Sequence, residues 1–302
     1  MDQKLWDYLL DDTYEGDRLQ LTHKIFKNDF VKIIEKLLDE WNLTRRLQTS
    51  NGAKANILDV GCAEGLFMHD LAEVLEARGL MSAAELTGFD NNVTAITTAE
   101  EFAKVSNPPR PYLQFVLHDA TRPFEENPAL RSHAKSGFDL IYALATLELI
   151  PQARVQLQRL YDYLKPGGVL YVRCIVVYEG EKGWLPIHPA LAPLSRIVYS
   201  QLEKINPGAD VANAAAAWLQ EAGAEKVETI YYQNPVGGPT EIGRLTLRNS
   251  LLAMRNRRNS MIKQGLISAD QYDAIMDTIY RDLSVESQGQ IAAVVTLARK
   301  PE

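Results

Sequence analysis

The chain has 302 residues, 46% of them hydrophobic and 24% charged, with a formal net charge of −7. Those values fit a soluble globular protein with one large α/β domain and an insertion, or two modest domains. The acidic balance argues against a nucleic-acid partner, and no apolar stretch approaches the ~20 residues needed to span a bilayer. Cys62 and Cys174 stand far apart and in no Cys/His cluster, so neither a metal site nor a disulfide framework is expected. The start, Met-Asp-Gln-Lys-Leu-Trp, lacks the basic-then-apolar layout of a signal peptide, and a cytoplasmic protein is expected.

The apolar series Ile25, Phe26, Phe30, Val31, Ile33, Ile34, Leu37, Leu38 and Trp41 predicts a helix over 22–47, broken near Asn42. Strand 56–60 then leads through Gly61 and Gly65 into a helix over 65–78, which Gly79 ends. A strand at 86–90, a helix at 92–104 and strands at 113–119 and 138–144 follow. A helix from Pro151 to Leu164, the turn Lys165-Pro-Gly-Gly168 and a strand over 169–177 come next. Strands alternating with helices predict a doubly wound, mostly parallel sheet with both faces covered. Past residue 178 the pattern changes to helices at 189–206 and 209–222, strands at 227–233 and 290–297, and a long helical stretch over 240–282.

The stretch Leu-Asp-Val-Gly-Cys-Ala-Glu-Gly65 sets the chemistry. Glycines at a strand end let backbone approach a ligand where a Cβ would intrude. The spacing is G-x-x-x-G, not the dinucleotide G-x-G-x-x-G, and no Gly-Lys-Ser/Thr follows, so a P-loop is excluded. Asp59 and Glu64 would repel a pyrophosphate and suit a ligand carrying an ammonium and a sulfonium. Asp59, Asp90 and Asp119 all fall at the carboxyl ends of predicted strands, where open α/β sheets bind ligands.

This stretch closely resembles the nucleoside loop of class I S-adenosylmethionine-dependent methyltransferases; Ala63 departs from the glycine many members carry. The resemblance implies a seven-stranded sheet closed by an antiparallel final pair, with an N-terminal helical cap over 1–50 and a cofactor core over 51–178. The rest of the core, over 179–302, would hold a helical substrate lid around 240–285. It implies S-adenosylmethionine bound by Asp59, Gly61, Cys62, Ala63, Gly65 and Leu144. Asp90 with its neighbour Asn91 would take the ribose hydroxyls, and Asp119 and Ala120 the adenine.

Tyr14…Asp17-Arg18-Leu19…His23…Phe26 resembles the segment ahead of the core in small-molecule methyltransferases of secondary metabolism, with Thr22 in place of the usual Gln. The implied roles put Arg18 on the cofactor carboxylate and Tyr14 or His23 on the acceptor; an ordinary surface ion pair is the alternative for Arg18. A hydroxyl acceptor would want a base, and His23, His188 and Glu148 are the candidates, Glu148 having a structural cap as its alternative. Asn107-Pro-Pro-Arg110 looks like the motif of amine methyltransferases but stands before the third strand instead of after the fourth. The expected partner is a small-molecule acceptor, and the sequence leaves room for a homodimer. A cyclase or isomerase of the same fold, a non-catalytic nucleoside-binding module and an NAD-dependent enzyme are the rival readings.

Overall fold

The structure, a computed structural model, describes residues 15–49, 54–176, 178–181, 183–186, 188–207, 210–282 and 287–302. Seven strands form one sheet: β1 (Ala55–Val60), β2 (Ala84–Asp90), β3 (Gln114–Leu117), β4 (Phe138–Leu144), β5 (Leu164–Ile175), β6 (Lys226–Gly237) and β7 (Gln288–Arg299). Their order is β3-β2-β1-β4-β5-β7-β6. The first five run parallel, and β7 is antiparallel to both its neighbours. All six residues of β1 and the first six of β4 are buried, as strands covered on both faces must be. Because β2 lies on one side of β1 and β4 on the other, a crevice opens at the carboxyl ends of these strands.

The helices are α1 (Glu15–Glu40), α2 (Leu43–Thr49), α3 (Leu66–Ala77), α4 (Val93–Val105), α5 (Arg131–Ser136), α6 (Ala153–Asp162), α7 (Ala192–Ile205), α8 (Val211–Glu221), α9 (Glu241–Lys263) and α10 (Ala269–Asp282). The expected break near Asn42 is present: Asn42 adopts a φ of 60°, a left-handed conformation that asparagine tolerates. The helix before it starts at Glu15 instead of residue 22, because its first turns are polar and carry little apolar period. The β5 strand also starts earlier than expected, at Leu164, with a register shift against β4 between Phe138 and Leu140 taking up the Lys165–Gly168 turn.

The apolar face of α1, with Phe30, Ile34, Leu37 and Trp41, is buried in the core against β1, β4 and β5. Polar contacts fix its position. Buried Arg173 of β5 reaches Asp29 at 3.3 Å and stacks its guanidinium 3.9 Å from the Phe26 ring centroid. Between β6 and β7 the chain inserts α9 and α10, which pack with α7 around Leu194, Val198, Met261, Tyr272 and Ile279. α9 also lies along α1, where Thr22 Oγ1 donates to Asn249 Oδ1 at 3.3 Å. Two helical segments distant in sequence thus flank the crevice. Among the described residues no helix is long and apolar enough to cross a membrane.

Candidate active site

The turn after β1 is held by the end of β2. Gly61 and Cys62 both donate their N–H to the Phe89 carbonyl at 2.9 Å. The Asp90 carboxylate accepts from Ala63 N at 3.0 Å and from Asn92 N at 2.9 Å. Gly61 and Gly65 both have a φ of 73°, and a Cβ there would stand 2.5 Å from Thr146 and 2.4 Å from Phe115 respectively. α3 has Gly65 as its N-cap, with no side-chain cap and no acidic residue in its first turn, and Glu64 stands just ahead of it. Ala63 (φ 47°) and Ala145 (φ 53°), two left-handed alanines, both line the crevice. Strain of that kind collects at ligand sites.

The crevice is a cavity of about 310 Å³. Of the residues expected to bind cofactor, Arg18, Asp59, Gly61, Cys62, Ala63, Asp90, Asn91, Ala120 and Leu144 line it. Gly65 and Asp119 stand next to the wall without forming part of it. Asp119 turns its carboxylate to Thr121, accepting from the backbone N–H and from Oγ1 at 2.8 Å each, while its neighbours His118 and Ala120 do line the cavity. Local side-chain capping of the chain's own turn explains that orientation.

Of the candidate bases, Tyr14 lies outside the described residues. His188 is not in the wall; its Nδ1 accepts from Ala190 N at 3.1 Å and starts the helical turn that precedes α7. His23 lines the cavity, but its Nε2 is 2.6 Å from Oδ2 of buried Asp70, whose other oxygen holds Lys27 Nζ at 2.6 Å. Glu148 lines the cavity from the single helical turn after β4. Its Oε1 accepts from Ile175 N at 2.9 Å and its buried Oε2 has no hydrogen-bond partner.

Burial governs the electrostatics. Asp59, 4% exposed, has its pKa pushed up to about 8, chiefly by desolvation. The nearby Tyr142 hydroxyl pulls the other way, and the Asp90 charge adds to the rise. Asp90 is itself raised by desolvation, opposed by the N–H groups it accepts. Glu148 is pushed up to about 7 by burial, against the pull of the Ile175 N–H. Burial drives the Cys62 thiol upward, which disqualifies it as a thiolate nucleophile. His69 is lowered to about 4 by burial and by Arg110, and it belongs to a structural cluster. Arg110, from the Asn107-Pro-Pro-Arg110 run, pairs with Glu76 at 3.0 Å well away from the wall.

The rest of the wall comes from helices. Leu19 and Thr22 of α1, Val198, Tyr199 and Leu202 of α7, and a stripe on α9 ending in Met254 and Arg257 complete it. Sequence reasoning assigned no individual role to Val198, Tyr199, Leu202, Met254 or Arg257, although Leu19 and Thr22 fell in the segment ahead of the core and α9 in the stretch expected to form a lid. Within α9 the local signal was the i, i+3, i+4, i+7 spacing of Ser250, Ala253, Met254 and Arg257, which a core-facing stripe would share.

A family model described as a methyltransferase domain matches residues 51–234, more than half of the chain. A ubiquinone biosynthesis O-methyltransferase of Rickettsia felis is 25% identical over 177 residues, covering 55% of this chain and 61% of that protein. A trans-aconitate 2-methyltransferase of Delftia acidovorans is 30% identical over 118 residues, covering 39% of this chain and 37% of that protein. The chain therefore spans less than two thirds of the length of these curated relatives. Among solved structures, a Haemonchus contortus phosphoethanolamine N-methyltransferase 2 bound to phosphomonomethylethanolamine and S-adenosylhomocysteine aligns with a TM-score of 0.51 at 16% identity. It covers 99% of this chain and 60% of that chain, a likeness of fold. With the sheet order, the glycine turn and the matched domain in agreement, the chain belongs to the class I S-adenosylmethionine-dependent methyltransferases.

Proposed function

We propose that this protein methylates a hydroxyl oxygen of a small molecule, with S-adenosylmethionine as donor and Glu148 as general base. The observation that carries the cofactor assignment is the buried pair Asp59 and Asp90 beside a turn whose glycines tolerate no Cβ. Two desolvated carboxyls with raised pKa values fit a ligand that brings a positive charge and hydroxyl donors. Asp59 would face the cationic methionine end, Asp90 and Asn91 the ribose, and His118 and Ala120 the adenine. Arg18, on the first turns of α1, would take the carboxylate.

The bound cofactor supplies a methyl group on a sulfonium that is already activated for displacement. The protein's work is positioning and exclusion of water. Glu148, whose pKa burial raises to about 7, would accept the proton of the acceptor hydroxyl. His23 lines the cavity and ties α1 to the core through its Nε2 contact with Asp70. Residues 1–50 serve as a cap, 51–178 as the cofactor core, and the helices around 240–285 as a substrate lid. The curated relatives named as O-methyltransferases support an oxygen acceptor.

The test is calorimetric titration with S-adenosylmethionine, alongside Asp90→Ala. Micromolar affinity lost in the variant supports the cofactor site; a wild type that does not bind removes the reading. Screening acceptors for S-adenosylhomocysteine release then separates methyl transfer from a cyclase of the same fold, which would release none.

A further inference from the structure

Glu148 sits on a single helical turn, Leu147–Leu149, between β4 and α6. The chain leaves that turn through Ile150, Pro151 and a left-handed Gln152 (φ 58°), whose side chain gives α6 no cap. Buried backbone groups in such a link must find partners elsewhere in the fold. Asn206, at the end of α7, supplies them. Its Nδ2 donates to the Glu148 carbonyl at 3.2 Å and to the Ile150 carbonyl at 3.0 Å, and its Oδ1 accepts from Ala153 N at 2.8 Å. Two carbonyls at one end of the amide and an N–H at the other settle its orientation. The residue is 5% exposed, so water does not share these contacts.

Glu148 is therefore held twice. Its carbonyl is bound from α7 by Asn206, and its Oε1 is bound from β5 by Ile175 N at 2.9 Å. With the backbone and one carboxyl oxygen anchored, little freedom remains to Oε2, the buried oxygen that has no hydrogen-bond partner.

The helix that carries Asn206 also builds the cavity. Val198, Leu202 and Asn206 recur every four residues along one stripe of α7. Val198 and Leu202 line the cavity, and the Asn206 N–H bonds to the Leu202 carbonyl at 3.1 Å. Asn206 itself is not in the wall. One buried side chain thus joins the α7 wall to the turn that bears the carboxyl.

We infer that Asn206 is a positioning residue for methyl transfer: by tying the Glu148 turn to α7 it aims Oε2 at the acceptor hydroxyl and keeps the turn closed to water. That role rests on the reading of Glu148 as general base and adds the residue that holds the base in place. A base works only within hydrogen-bond reach of the proton it takes, so a loosened turn costs rate even with the carboxyl intact.

The test observes the Glu148 carboxyl directly, by carbon-13 NMR of the full chain labelled at the glutamate carboxyl carbon. The Glu148 signal is assigned by its loss in Glu148→Gln. In the wild type it should titrate near 7. The buried Cys174 thiol of β5 also bonds to Glu148, but burial pushes that thiol upward, so it stays neutral over this range. In Asn206→Ala the turn loses three hydrogen bonds and opens to water, and the Glu148 midpoint should fall by about one pH unit or more. S-adenosylhomocysteine affinity, read by calorimetry, should stay within about twofold, because Asp59 and Asp90 belong to other strands. If Asn206→Ala does not fold, Asn206→Ser, which keeps one hydroxyl at that position, should give a smaller fall of the same sign. An unchanged Glu148 midpoint with faster amide exchange at the start of α6 would make Asn206 a helix cap only and overturn the assignment. A variant that loses S-adenosylhomocysteine would overturn it as well, since the effect would then be general. A wild-type midpoint near the ordinary 4.5 is a separate result, and it removes the general-base reading together with the residue that serves it.

Discussion

Glu148 Oε1 accepts the backbone N–H of Ile175 at 2.9 Å, tying the turn after β4 to the end of β5 while the second carboxyl oxygen stays buried without a partner. One carboxyl thus has a structural contact and an uncommitted oxygen. Glu148→Gln separates the two roles, since its amide oxygen keeps the Ile175 bond but cannot take a proton. With a hydroxyl acceptor, kcat is expected to fall about 100-fold or more. The wild-type rate should rise with pH through about 7, and that inflection should vanish in the variant.

The same group predicts a stability effect of definite sign. The folded-state pKa is raised to about 7 from an ordinary 4.5, so between those values the folded protein keeps a proton that the unfolded chain has released. Wild-type stability therefore falls as pH rises through that window and levels off above it, by up to roughly 3 kcal/mol from this site. Glu148→Gln escapes the penalty. Thermal melts at pH 5 and pH 8 should show the variant gaining on the wild type at the higher pH. A variant equally destabilised at both values would make Glu148 a plain structural cap.

Asp59 offers a second titration. Its pKa of about 8 in the free protein means that the carboxyl is largely protonated at pH 7. A cationic ligand beside it favours the carboxylate, so binding at pH 7 should release close to one proton. Calorimetry in buffers of different ionisation enthalpy reads that number directly. Asp59→Asn should bind without the release; a proton count that the substitution leaves unchanged would place the effect elsewhere.

Gly61→Ala tests the turn. A left-handed φ costs an L-residue about 1–2 kcal/mol, and the new Cβ would also overlap the Thr146 side chain at 2.5 Å. Affinity for S-adenosylmethionine should drop at least tenfold. Adding Thr146→Ala removes the atoms that the new Cβ overlaps but not the strained φ, so partial recovery is the expected result. Full recovery would mean that the turn's backbone conformation matters little; none would mean that it matters most.

What the sequence made legible was whatever depends on local pattern. Strands β1 and β2 and the acids at their ends follow from short apolar runs punctuated by Asp and Gly, β4 from its apolar run alone, and the fold places Asp59 and Asp90 at the crevice. Side chains whose direction is decided by a nearby backbone were harder to read. Asp119 and His188 stand where a ligand contact was plausible, yet each satisfies N–H groups of its own turn. The helical part of the cavity wall was only partly legible: a helical stretch around 240–285 was expected, but not which of its side chains line the cavity. Tyr199 and Arg257 lie 58 positions apart in sequence and line one cavity because the helices between β6 and β7 pack against α7. Helical periodicity says that a face is buried, not whether it is buried against side chains or around a cavity.

The N-terminal half of α1 is tied to α3 through one buried carboxylate. Asp70 of α3 holds His23 and Lys27 of α1 at 2.6 Å each, a buried polar tether for the first half of α1. Lys27 is held above its ordinary pKa although partial burial alone would lower it, because its bond to Asp70 and the charges of Asp70 and Glu73 outweigh the desolvation. Asp70→Asn removes the charge from both contacts. Lys27 is half exposed and can turn to water, so the cost is set mainly by the His23 side of the pair, about 1–3 kcal/mol. Because α1 also buries Phe30, Ile34, Leu37 and Trp41, its C-terminal half should stay docked. Hydrogen exchange should therefore accelerate over residues 15–28 and leave 30–40 and β1 nearly unchanged. S-adenosylmethionine affinity should weaken several-fold with the loss of order around Arg18. Exchange that rises uniformly along α1 would show instead that its apolar face docks only when the tether is intact.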